Sequence, residues 1–190
     1  QSLALGDINQ DGDIDVITGD EVGFVEYYEN PGGAATSAWS SYDLGEHTGG
    51  ASLQNVRAVQ LADIDLDGDL DVVSAAREGS DNVLLWDNPG GGSPGGSWSS
   101  TTVGTADGGI YGIGIGDLDA DGDMDIVSGS FENNNDVDWY ETTGISTTYI
   151  GGDTVSFSNS DGGTANASIR WAPEATTYDL LARIDPYKQF

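Results

Sequence analysis

Carboxylates recur at a fixed spacing in three places along the chain: GDINQDGDIDVITG from Gly6, ADIDLDGDLDVVSA from Ala62 and GDLDADGDMDIVSG from Gly116. Written as nine positions, each segment is D-x-[DN]-x-D-G-x-x-D, with oxygen-bearing side chains at positions 1, 3, 5 and 9 and glycine at position 6. Four such oxygens converge on one point if the chain turns sharply, and glycine permits that turn. The candidate ligands are Asp7, Asn9, Asp11 and Asp15; Asp63, Asp65, Asp67 and Asp71; and Asp117, Asp119, Asp121 and Asp125. By analogy with helix-loop-helix calcium loops, position 7 should offer its backbone carbonyl, here from Asp13, Asp69 and Asp123. Their own carboxylates are then expected to face solvent or tune the charge of the site. A hard, all-oxygen, multidentate set favours Ca2+ over Zn2+, and the lack of a rigid octahedral cage disfavours Mg2+. About three Ca2+ ions are expected, one per loop.

Aspartate and glycine also form ordinary polar turns. A turn alone, however, does not call for four or five carboxylates in nine residues, and two carboxylates about 5 Å apart repel by about 3 kcal/mol at an effective dielectric near 20. Without a cation each loop should oppose folding. The bidentate Glu that a helix-loop-helix site carries at position 12 is replaced by Thr18, Ser74 and Ser128. The residues leaving each loop alternate and are β-branched, so a strand is predicted there, with Val16, Val72 and Ile126 on the opposite face from Ile17, Val73 and Val127.

The elements that must hold these loops repeat with them. Asp7, Asp63 and Asp117 are 56 and 54 positions apart, and a second motif keeps step: FVEYYENPGG from Phe24, NVLLWDNPGG from Asn82 and DVDWYETTG from Asp136. Short strands separated by Gly, Pro, Asn and Ser turns, with no 3.6-residue apolar period, predict an all-β chain of propeller-blade-like repeats. Three repeats are expected within residues 1–144, at about 1–50, 51–104 and 105–144, followed by a β-rich capping or assembly segment at 145–190. That segment has no Asp-rich loop but has strand-like runs at 146–150, 154–158, 167–171 and 178–184. Three copies are fewer than the four to eight blades of a typical closed propeller, so completion by oligomerisation is expected.

Charge narrows the partners. The 190 residues hold 33 acids and five bases, a formal charge of -28. Of these, 28 acids and two bases lie in residues 1–150, net -26, and five acids and three bases in 151–190, net -2. Nucleic acid and anionic membranes are excluded as partners for want of a basic surface, and no apolar run is long enough to span a membrane. There is no cysteine, so disulfides, thiolate metal sites and thiol catalysis are unavailable. Arg170, Arg183 and Lys188 make a head-to-tail contact between the tail and the acidic repeats electrostatically reasonable.

The D-x-D-x-D-G-x-x-D loop leading into a strand, with the aromatic strand and polar turn after it, resembles the FG-GAP or VCBS repeat family over residues 1–144. That family forms β-propeller blades, as in integrin α-subunits, and its members include bacterial surface proteins, lectins and polysaccharide lyases. The resemblance implies ligands at positions 1, 3, 5 and 9 and the carbonyl at position 7; Asn9 gives the first loop a lower charge.

No catalytic apparatus is apparent. His47, the single histidine, is expected to be a surface or turn residue, and no nucleophile-elbow or phosphate-loop signature occurs. Trp39, Trp86, Trp98 and Trp139 recur with the repeats and are expected in the inter-blade core rather than on a sugar-binding surface; Trp171 lies in the tail. Residues 166–168, Asn-Ala-Ser, match a glycosylation acceptor. The expectation is a non-enzymatic, extracellular or cell-surface calcium-binding structural or adhesive protein, a filament or homo-oligomer or a binder of other surface proteins. Extracellular calcium modules bind at about 10⁻⁴ to 10⁻³ M, which suits such a location. The alternatives are a glycan-binding, lectin-like module and a scaffold piece of a larger extracellular enzyme or receptor.

Overall fold

A computed structural model describes residues 2–33, 37–47, 55–77, 82–90, 95–105, 108–131, 136–143, 146–149, 152–158 and 164–170. All its regular elements are strands. β1 (Ser2–Gly6), β2 (Asp15–Gly19), β3 (Phe24–Glu29) and β4 (Ser40–Glu46) form one antiparallel sheet in that order. β5 (Val56–Ala62), β6 (Asp71–Ala76), β7 (Asn82–Asp87) and β8 (Ser99–Thr105) form the second. β9 (Ile110–Gly116), β10 (Asp125–Ser130), β11 (Val137–Thr143) and β12 (Ser146–Tyr149) form the third. These are propeller-blade-like sheets, and among the described residues they do not close into a barrel.

β12 begins beyond residue 144, so the third sheet draws its fourth strand from the segment after the Asp-rich repeats. β13 (Gly152–Ser158) and β14 (Thr164–Arg170) pair as a hairpin beside β11. The strand expected at 178–184, with Trp171, Arg183 and Lys188, lies outside the described residues.

The alternation in the sequence sets how the sheets stack. Ile17, Val25 and Tyr27 on one face of the first sheet meet Val59, Val72 and Trp86 of the second in one core. Val73, Ala75 and Val83, on the second sheet's other face, meet Ile110, Ile126 and Tyr140 of the third in another. Val72 and Val73 are both fully buried because the middle sheet is covered on both sides, whereas Val16 is only half-buried beside the fully buried Ile17. The opposite-face prediction therefore holds, and each buried Val or Ile contributes about 1.5–3 kcal/mol of hydrophobic stabilisation.

Candidate metal centres

Each Asp-rich loop joins the first and second strands of its sheet, so the three loops occupy equivalent places. The turn is made as the spacing requires: Gly12, Gly68 and Gly122 have φ of 94°, 99° and 107°. Position 4 is left-handed as well, at Gln10, Leu66 and Ala120, with φ of 58°, 63° and 68°. A non-glycine residue there costs about 1–2 kcal/mol, and Gln, Leu and Ala do not signal such a backbone.

Inside the loops carboxylates accept backbone N–H groups. Asp7 takes those of Asp11 and Gly12, Asp63 that of Gly68, and Asp117 those of Ala120 and Asp121. Asp11, Asp67 and Asp121 each accept the N–H two residues on, at 2.9, 2.9 and 3.2 Å, from Asp13, Asp69 and Asp123. Position 9 fastens the loop to the sheet. Asp15, Asp71 and Asp125 are buried and accept the N–H of position 2 (Ile8, Ile64, Leu118) and an N–H at the end of the third strand (Asn30, Asn88, Thr142). Burial pushes the Asp71 carboxyl up to about 6 and raises those of Asp65 and Asp125. Tyr27 donates to Asp15 at 3.0 Å, and burial followed by this bond raises its phenol well above the usual range.

Carboxylate oxygens of Asp63, Asp65 and Asp71 lie within 4.8 Å of one another, as do those of Asp117, Asp119 and Asp125. These combine positions 1, 3 and 9. A further group, Asp119, Asp121 and Glu141, meets the same distance and adds position 5 of the third loop. Asp67 is not in such a group, and no three carboxylates of the first loop converge this way among the described residues. There the amide of Asn9 stands at position 3, donating to Asp11 at 3.0 Å and to Glu29 at 3.5 Å.

Two details refine the sequence reading. Asp123, whose carboxylate was expected to face solvent or tune the charge of the site, is only 8% exposed, which leaves the second alternative, and the side chains of Asp13 and Asp69 lie against Gly32 and Gly90, where an added Cβ would collide with them. The Asn-Pro-Gly turns fold back over the loops: Asn30 donates to the carbonyl of Ile14, Asn88 to that of Leu70, and each accepts the N–H two residues on. Glu141 was missed because it lies on the third strand, outside the nine-residue pattern. Burial, then the charges of Asp119, Asp125, Asp121 and Asp123, raises its carboxyl. Its counterparts Glu29 and Asp87 recur in the second motif, and that repetition was the available signal.

His47 is corrected outright. It is 1% exposed, with Nδ1 2.7 Å from Asn82 Oδ1 and Nε2 2.8 Å from Ser74 Oγ, while Trp86 Nε1 donates to the same hydroxyl at 2.7 Å. A neutral ring satisfies the whole network, with Ser74 donating to Nε2 and Nδ1–H donating to Asn82. Ser74 is fully buried, so this Ser-His-Asn set ties the first sheet to the second. Of the tryptophans expected in the core, Trp86 is 3% exposed and Trp98 packs against the first core, but Trp39 is 44% exposed.

Stacked four-stranded antiparallel sheets with a nine-residue acidic loop between the first two strands define a blade-repeat protein. The FG-GAP-like repeat family matches residues 7–74 and again 63–128, and the chain belongs to it. A search of curated proteins finds no match.

The donor set fits a hard divalent cation: it is all oxygen, and Asp63 Oδ1 is buried without a hydrogen-bond partner, as a ligand atom awaiting a cation would be. Asp63, Asp65 and Asp71 would hold an ion in the second loop, and Asp117, Asp119 and Asp125 in the third. Among the described residues no helix is long and apolar enough to cross a membrane.

Proposed function

We infer that this is an extracellular structural or adhesive repeat protein whose loops bind Ca2+ and are stiffened by it. The observation that carries the reading is the convergence of Asp63, Asp65 and Asp71, repeated at Asp117, Asp119 and Asp125, on a fold whose loops are fastened to their sheets through position 9. Three carboxylates within 4.8 Å repel one another strongly, and a divalent cation converts that repulsion into attraction. The first loop, with Asn9 in place of a carboxylate, is the weakest site.

The expected role of the ion is mechanical. Gln10 of the first loop donates to Gly68 O and Asp69 Oδ1 of the second, both at 2.7 Å, and Asn88 donates to Ile8 O at 3.2 Å. An ion that fixes one loop therefore also fixes its contact with the next sheet. Extracellular calcium supports sites with Kd of about 10⁻⁴ to 10⁻³ M, for which about 10 mM Ca2+ would stabilise the fold by about 1.4–2.7 kcal/mol per site.

The test is thermal unfolding of the purified chain in Ca2+, in Mg2+ and in chelator, with calorimetric titration of Ca2+. Ca2+ should raise the melting point well beyond Mg2+, and Asp65→Asn and Asp119→Asn should each remove one site from the titration. Equal melting points in Ca2+ and chelator would reduce the loops to polar turns and end this reading.

A further inference from the structure

Both internal interfaces are built alike. An upstream sheet offers a face whose inner half is built on small residues, Ala4, Gly6 and Gly19 in the first sheet and Ala58, Ala62 and Ala75 in the second, where Gln60 between them donates across the interface to Ile113 O. The first strand of the downstream sheet lies across that half, β5 over β1 and β2, β9 over β5 and β6. The fit is close: a Cβ on Gly19 would collide with Val56, and one on Gly6 would come within 2.9 Å of Leu61 and Leu70.

The third sheet has the same small-residue half with nothing described upon it. Gly112, Gly114 and Gly116 of β9 and Gly129 of β10 stand at the matching register, facing away from Ile113, Ile115 and Ile126, which pack toward the second core. A Cβ at any of these four glycines would meet no described atom within 4 Å. Position 2 of the loops agrees. Ile8 and Ile64 are 2% and 1% exposed in the two interfaces, whereas Leu118 is 42% exposed.

The opposite end of the array presents the other half of the joint. Leu3 and Leu5 of β1 correspond in register to Val59 and Leu61 of β5, yet they are 62% and 60% exposed, against 4% for Val59. Val16 and Tyr28, in register with Leu5, stand where Val72 and Trp86 stand beside Leu61. Among the described residues, nothing covers Leu3 and Leu5 of β1 or the glycine half of β9 and β10.

We propose that two copies of this chain join head to tail, β1 of one lying across β9 and β10 of the other, with Leu3 covering Gly129 as Val59 covers Gly19, and Leu5 covering Gly116 as Leu61 covers Gly6. The joint repeats the construction of the two internal interfaces and does not rest on calcium binding. The β13–β14 hairpin lies beside β11, so the β9–β10 half is the part used. Because the two surfaces differ, the contact is heterologous and propagates into a ring or a filament. Copies of formal charge -28 repel, so the contact needs salt or divalent ions to screen it.

The experiment is sedimentation velocity of the full chain over a wide concentration range, in about 0.15 M salt with millimolar Ca2+. Species growing past the dimer are expected. Leu5→Asp and Gly129→Gln, at an exposed side chain and an open glycine, should keep the wild-type melting point and raise the concentration needed for association about tenfold or more. Leu3→Asp and Gly112→Gln form a second pair, and Thr101→Asp, an exposed residue on β8, is the control for added charge. Mixing Leu5→Asp with Gly129→Gln leaves one good surface on each, so association should recover and stop at a one-to-one complex. A wild-type chain that stays monomeric throughout, association indifferent to both variants, or a mixture that does not recover would each overturn the proposal.

Discussion

Lowering the pH should loosen the joint between the first two sheets through His47. The ring is 1% exposed, and burial lowers its affinity for a proton, offset in part by its bond to Asn82. In the unfolded chain the imidazole returns to a value near 6.5. A folded value below the unfolded one means that the neutral form is favoured by folding; the resulting stability is full above about pH 7.5 and is lost as the unfolded chain takes up its proton. Each pH unit below about 6.5 through which the folded ring stays neutral removes about 1.4 kcal/mol. For a chain of this size that is about 3–6 °C in melting point per unit. The perturbation is His47→Gln, which cannot titrate but keeps one donor and one acceptor for Asn82 and Ser74. It should cost about 1–2 kcal/mol at neutral pH, where a good hydrogen bond is lost. The assay is urea unfolding followed by tryptophan fluorescence in saturating Ca2+, read as the difference between wild type and variant at each pH, so that the carboxylates cancel. That difference should shrink as pH falls below about 6.5. Parallel curves would show that His47 is charged in the fold or does not bind as described.

Other consequences follow from the same coordinates. Asp71, held at about 6 by burial, favours its neutral form in the fold; it contributes about 3 kcal/mol that is present below about pH 3.8 and lost as pH rises through about 6. In chelator, the His47→Gln chain should therefore have a higher urea midpoint at about pH 5 than at pH 7, and saturating Ca2+, which needs the carboxylate ionised, should reverse the order. Gly104→Ala would drive a Cβ into the ring of Tyr140, and overpacking of this kind lowers stability by about 1–3 kcal/mol. Gly114→Ala, in open space, should stay within about 0.5 kcal/mol of wild type in the same unfolding assay. Ile17→Ala should cost about 2–5 kcal/mol and Leu3→Ala under about 0.5, measured on dilute protein so that association does not contribute.

The sequence made the repeats and strands legible because both are local: a strand shows in alternation, and a loop in the spacing of Asp and Gly. That the middle sheet is buried on both faces at Val72 and Val73 was not legible, because the first and third repeats carry the same apolar pair at Val16–Ile17 and Ile126–Val127. What escaped was non-local. His47 reads as part of a polar turn, and only the approach of Ser74 and Asn82 from the second sheet encloses it. Glu141 belongs to the third loop's cluster only because β11 pairs beside β10. Trp39 shares its repeat position with Trp98, but the first ring is exposed and the second packs on the core between the first two sheets. Position 4 of each loop is left-handed with Gln, Leu or Ala, residues that carry no mark of such a backbone.

The placement of the loops bears on what calcium can stiffen. A loop fastened only to its own sheet would leave the joints between sheets unchanged when an ion is added. Here position 2 enters the inter-sheet cores at Ile8 and Ile64, Gln10 reaches the second loop, and Asn88 holds the first loop's backbone at Ile8 O. The first and second loops therefore sit on a seam. Fixing a loop with a cation restricts both the sheet and its neighbour, and the effect accumulates along a stack in which each unit contacts only the next. Among the described residues Leu118, at position 2 of the third loop, is exposed rather than set in an inter-sheet core, and a further sheet seated on β9 and β10 would cover it. If so, Ca2+ affinity of the third loop should rise on association, and Asp119→Asn should weaken association as well as binding. A calcium titration above and below the association concentration tests this coupling, because linkage requires the two effects to be equal.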